Sequence, residues 1–141
     1  MAKLEITIDV FIHATEDIAK FFKFFNEMFE VQEGTFSVSE VTGHFENPIT
    51  ILRAKITQKS ASRFLEKFLE ILSENQKNEI VDEIEERTEN SSLHLRLDKQ
   101  EFVQGQIAFI EKEAIKLKIH TPVYNKKDTV KVFTKLFRDL N

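Results

Sequence analysis

Gly43-His44-Phe45-Glu46-Asn47-Pro48-Ile49, read with Leu93-His94-Leu95-Arg96-Leu97-Asp98-Lys99-Gln100, decides the kind of fold this chain makes. Both stretches place polar residues where an extended segment begins or ends. Gly43 tolerates a positive φ, and Pro48 fixes its own φ while holding Asn47 extended. The first stretch therefore reads as a tight connection between two β-rich runs, with His44 and Phe45 at its tip. The second alternates Leu93, Leu95 and Leu97 with His94 and Arg96, as a half-buried strand does, and ends at Asp98-Lys99-Gln100.

Working outward, Leu4, Ile6, Ile8, Val10 and Ile12 alternate with Glu5, Thr7, Asp9, Phe11 and His13, a first strand with one wet face. Thr15 suits a helix N-cap, and Ile18, Phe21, Phe22, Phe25, Met28 and Phe29 recur at helical spacing. This predicts a helix to about Phe29 whose phenylalanines are core rather than base-stacking surface, Phe24 at the edge of the stripe being the one candidate for stacking. Gly34 precedes a second strand, Thr35 to Thr42, and the Asn47-Pro48 turn leads to a third, Ile49 to Thr57. There Leu52, Ala54 and Ile56 face inward while Arg53 and Lys55 face out. Ser60 can cap a helix carrying Phe64, Leu65, Phe68, Leu69 and Leu72, and a short charged helix follows to about Thr88. Downstream, Gln106 to Glu111 and Ala114 to His120 read as a hairpin with a basic face. Asn125 and Asp128 resemble a capping pair for a last helix bearing Val130, Phe133, Leu136, Phe137 and Leu140.

The expected class is α+β, a single domain over residues 1–141 built on one antiparallel or mixed sheet of about six strands with helices on one face. Without cysteine there is no disulfide or thiolate chemistry, which suits a reducing, cytoplasmic setting. No cleavable signal and no membrane span is expected, since Met1-Ala2-Lys3 runs straight into the first strand. A net charge of −4 argues against indiscriminate phosphate binding. Charge is nevertheless uneven. From Ser60 to Ser91 there are four Lys/Arg against nine Asp/Glu, and from Ser92 to Asn141 ten against six, which suggests opposite faces of one fold.

Arg53, Lys55, His94, Arg96, Lys116, Lys118 and His120 all fall on the outward side of the sheet. Such a face can present itself to RNA, or it can simply be the polar side any half-covered sheet shows to water. The histidines at 13, 44, 94 and 120 lack metal-ligand spacing, so no metal is expected. Neither a Gly-rich phosphate loop nor a nucleophile elbow is present, and Asp98 beside Lys99 has no convergent partner. No catalytic residue or cofactor is assigned.

Thr15-Glu16-Asp17, the Gly43 to Ile49 stretch, and Leu95-Arg96-Leu97-Asp98-Lys99-Gln100 followed by Gly105 resemble, in the same order, archaeal RNA-binding-domain proteins described as predicted exosome-associated subunits. The resemblance implies a fold like that of the ribosomal protein contacting five-S rRNA. It also implies a non-enzymatic role in RNA binding or processing, with RNA rather than DNA as partner, and with the exosome or another RNA-processing complex as protein partner. Glu46 departs from the small residue expected before Asn47-Pro48. On this basis Arg96, Lys99, Lys116 and Lys118 are expected to meet phosphate, with Arg53, Lys55 and His94 beside them on the outward face. His44, Phe45, Asn47 and Gln100 are the candidates for stacking or base-edge hydrogen bonds. From a different class, a protein-interaction adaptor docking through its open sheet or acidic helical segment fits the net acidic charge.

Overall fold

The computed structural model describes residues 4–43, 46–122 and 125–139. The centre of the fold is β1 (Glu5–His13), in which Ile6, Ile8 and Val10 are fully buried while the alternate residues face away. It lies antiparallel between β3 (Pro48–Thr57), with Ile8 opposite Ala54, and β6 (Ala114–His120), with Ile8 opposite Leu117. Adding β2 (Ser37–Thr42), β4 (Thr88–Glu89) and β5 (Ser92–Asp98) completes one antiparallel sheet of six strands in the order β2-β3-β1-β6-β5-β4. The α+β class read from the alternation is what the chain forms.

Helices α1 (Ile18–Phe29), α2 (Gln58–Ile71), α3 (Glu74–Asp82), α4 (Ile84–Arg87), α5 (Lys99–Phe102) and α6 (Lys126–Asp139) supply the other half of the core. Phe21, Phe25 and Phe29 on α1 and Phe64 and Phe68 on α2 are buried, each burial worth roughly 2–3 kcal/mol. Phe102 is the hub. Its ring centroid lies 4.6 Å from that of Phe25 and 6.3–6.4 Å from those of Phe21, Phe24 and Phe29. Phe24 is therefore half-buried packing. It also explains Gly105, whose φ of +80° suits glycine and where a Cβ would stand 3.1 Å from the Phe24 ring.

Several local expectations are corrected. Asp17, not Thr15, caps α1, accepting from Ala19 N–H at 3.0 Å, because Thr15 and Glu16 are used in a turn in which Glu16 N–H reaches His13 O. The strand expected from Thr35 begins at Ser37, after a 3-10 turn over Glu33–Thr35, and α2 starts at Gln58 directly off β3. The charged helix is two helices, α3 with a Ser73–Gln76 capping box and then α4, and Thr88–Glu89 forms the edge strand β4. At the other end, Asn125 and Asp128 cap each other as expected, Asp128 N–H donating to Asn125 Oδ1 at 2.9 Å.

The largest correction concerns Gln106 to Glu111, which forms no hairpin with β6. Phe109 bridges Leu97, Asp98 N–H donates to Ala108 O at 2.8 Å and Ile110 N–H to Arg96 O at 3.2 Å, so the segment runs along the far side of β5. The reason lies in register. Ile115, Leu117 and Ile119 match Leu97, Leu95 and Leu93 one for one, both rows are buried, and β6 gains a paired strand on each side by inserting between β1 and β5. Acidic and basic segments are only partly on opposite faces: β5 and β6 turn Arg96, Lys116 and Lys118 away from the helices, but the last helix does not follow them. The basic α6 packs on the acidic α3 and α4, and α4 leads into the strand beside β5.

Candidate nucleic-acid interface

Because the helices cover one face only, the second face of the sheet is open, and the strand registers arrange its side chains in rows. Arg53, Asp9, Lys116 and Arg96 follow one another across β3, β1, β6 and β5, and Lys55, Thr7, Lys118 and His94 form the next row. Neighbours within a row have Cα atoms about 5 Å apart. Arg53, Lys55, His94, Arg96, Lys116 and Lys118 are all exposed there. His120 is half-buried, its Nδ1 2.9 Å from Ser92 Oγ.

The two ends of these rows differ electrostatically. Arg53 Nε donates to Asp9 Oδ1 at 2.7 Å and Lys55 Nζ lies 3.7 Å from Glu5, so the β3 side is largely compensated. Among the described residues no carboxylate pairs with Lys116, Lys118 or Arg96. Arg96 Nη1 donates instead to the Glu111 backbone oxygen at 3.0 Å. A cleft of about 580 Å³ lies over this cationic strip, and Glu83, Glu86 and Glu89 of the α4–β4 edge form its outer wall. Partial burial, then the Lys118 ammonium, hold the His94 imidazole below its ordinary pKa; Glu89 opposes the shift and Arg96 adds to it.

Lys99 is not on this face. It is 6% exposed, and its Nζ donates to Phe11 O at 2.8 Å and to Glu16 Oε1 at 2.9 Å, fastening the end of β1 to the approach of α1. A second tie lies beside it, His13 Nε2 2.9 Å from Glu113 Oε2, a hydrogen bond that holds the Glu113 carboxyl below the usual range. The sequence expectation of a phosphate contact at Lys99 thus gives way to a buried clamp. Asp98 caps α5 by accepting from Gln100 N–H at 2.8 Å, leaving Gln100 exposed. Asn47 is exposed, and its carbonyl closes the β2–β3 turn by accepting from Gly43 N–H at 2.7 Å. His44 and Phe45 lie outside the described residues.

Both sequence motifs sit at the same end of the sheet, but β1 and β6 stand between them, so they do not form one contiguous site. Sequence reading puts Phe11 on the outer phase of β1 and gives it no role. The structure leaves it 47% exposed, with the Lys116 ammonium 5.8 Å from its ring centroid. The signal was the one aromatic on the wet phase of the central strand. Among the described residues no three His, Asp or Glu side chains converge as metal ligands, and no helix is long and apolar enough to cross a membrane.

An RNA-binding protein of Pyrococcus abyssi is 32% identical over 116 residues, covering 78% of this chain and 75% of that protein. Two solved structures share the fold over almost the whole chain. One, from Archaeoglobus fulgidus, is 26% identical with a TM-score of 0.80, covering 95% of this chain and 99% of its own. The other, a DUF54 protein from Methanothermobacter thermautotrophicus, is 28% identical with a TM-score of 0.75, covering 96% and 99%. The sequence model described as RNA binding matches residues 5–121, from the first residue of β1 to just past β6, and the chain belongs to that RNA-binding family.

Proposed function

We propose that this protein binds RNA, without catalysing a reaction on it, on the open face of its sheet, and that it serves as an accessory factor of RNA processing or degradation of the kind the exosome performs. The observation that carries the reading is the strip Arg96, Lys116 and Lys118, three exposed cations without a paired carboxylate among the described residues, on a face no helix covers. Membership of the RNA-binding family supports RNA as the ligand. The exosome association and the likeness to the five-S-rRNA-binding ribosomal fold rest on the motif resemblance.

Fluorescence anisotropy with structured and single-stranded RNAs at two salt concentrations tests this. Three phosphate contacts predict a slope of log K against log salt of about −2, or roughly a 15- to 20-fold loss between about 50 and 200 mM salt. Absence of binding at low salt contradicts the reading. A second outcome concerns pH. His94 faces Lys118 on β6, Glu89 on β4 and Arg96 on its own strand, surroundings that with its partial burial favour the neutral imidazole. A phosphate arriving there offsets the Lys118 repulsion and favours imidazolium, so binding takes up a proton. Affinity is expected to rise roughly 3- to 10-fold on going from above pH 7 to below the ordinary imidazole range, and His94→Gln to flatten that rise. Equal pH profiles for the two proteins would remove His94 from the site.

A protein-docking role is favoured by one observation. Strand β2 is exposed along its whole length, with Val38 and Val41 57% and 46% exposed, an unguarded edge suited to a partner's strand. Co-purification with and without ribonuclease separates the readings, since a partner that survives the treatment is held by protein.

A further inference from the structure

We infer that Phe11 is the platform for one unpaired base, and that the RNA this protein takes is therefore single-stranded or looped rather than continuous duplex. This rests on the RNA-binding reading above. Phe11 lies on the central strand, on the open face, opposite Ile51 of β3, and almost half of its surface is in water although its neighbours along that phase are Asp9 and His13. A recess of about 110 Å³ opens beside the ring, bounded by Asp9, Arg53, Lys116 and the small Ala114. That is well under the roughly 300 Å³ of an enclosing small-molecule pocket, so it admits the edge of a flat ring lying on Phe11 and not a whole free nucleotide.

The walls of the recess have the matching chemistry. Asp9 keeps acceptor capacity beyond the single bond from Arg53 Nε, and the rest of the Arg53 guanidinium offers donors, so a base edge carrying both kinds of group finds partners. Next to the ring, Lys116 and then Lys118 stand two residues apart along β6, about 6.7 Å of rise, beside Arg96 and His94 on β5. A backbone running along β6 meets one cation after another, while the Glu83, Glu86 and Glu89 wall on one side repels phosphate and the compensated Arg53–Asp9 and Lys55–Glu5 pairs on the other offer it little attraction. Along its length duplex RNA offers this surface phosphates, 2′-hydroxyls and base edges but no free base face, its bases being stacked within, and so leaves the Phe11 ring without a stacking partner. Because every base has a π-face, the subsite is tolerant of base identity.

The test uses the full chain, with an unstructured oligouridine and a blunt RNA duplex of the same length as probes, at low salt. The wild type is expected to prefer the single strand. Phe11→Ala is expected to lose about 5- to 100-fold in affinity for oligouridine, erasing that preference, with an unchanged salt slope and melting temperature, while Phe11→Trp retains it. Lys116→Ala with Lys118→Ala should instead flatten the salt slope on both probes. If Phe11→Ala binds oligouridine like the wild type while the lysine pair still matters, the base platform is wrong and the RNA reading stands. Equal loss on both probes also overturns the platform. No wild-type binding to either probe overturns the RNA reading and this inference with it.

Discussion

Replacing Lys99 by alanine is expected to lower the free energy of unfolding by about 2–3 kcal/mol, a fall of roughly 10 °C in melting temperature for a domain of this size. The ammonium is buried between the Phe11 carbonyl and the Glu16 carboxylate, which also accepts from His13 N–H at 2.9 Å. Truncation strands the carbonyl and leaves Glu16 without its cation. Breaking a fully buried pair costs about 3–5 kcal/mol, and the lower figure applies because the Glu16 side chain is 25% exposed. Lys99→Met should restore the packing of the stem and only part of the loss. The refolded fraction of Lys99→Ala should bind RNA as the wild type does, because Lys99 does not reach the open face. A loss under about 0.5 kcal/mol, the range of an ordinary surface change, would contradict the clamp.

Reversing Lys116 and Lys118 together to glutamate should do the opposite, weakening RNA binding by about 100-fold or more while barely moving the melting temperature. Each charge-assisted contact is worth about 1.5–3 kcal/mol, and two of them lost at the middle of the strip account for that factor before any repulsion is counted. Both side chains are exposed on the open face. Thermal denaturation beside anisotropy separates the two effects. A variant that melts normally and binds normally would place the RNA elsewhere.

These three lysines show what sequence can and cannot convey. Lys116 and Lys118 were legible because strand alternation assigns their face from local pattern alone, as it does for β1 and for the phenylalanine stripe of α1. Lys99 was not, since a lysine after aspartate at a strand end reads as surface. Its burial comes from Phe102 inserting into the core three residues later, which turns α5 so that Lys99 points back beneath β1. Gln106 to Glu111 misled for a related reason. Its alternation is genuine, with Ile107 buried and Phe109 half-buried, but which strand it borders depends on β6 having already filled the place beside β5. The neutralisation of Arg53 by Asp9 and of Lys55 by Glu5 is equally a product of the β1–β3 register, and it moves the expected phosphate contacts toward β5 and β6.

Amide chemical-shift mapping of the isotope-labelled protein during titration with oligouridine locates the bound RNA, because it reads every strand and helix at once. The largest changes are expected on β1, β5 and β6, centred on Phe11, Arg96, Lys116 and Lys118, with α1, α2 and α6 nearly silent. Changes concentrated on the helices or along the β2 edge, with the open face quiet, would contradict RNA binding on that face.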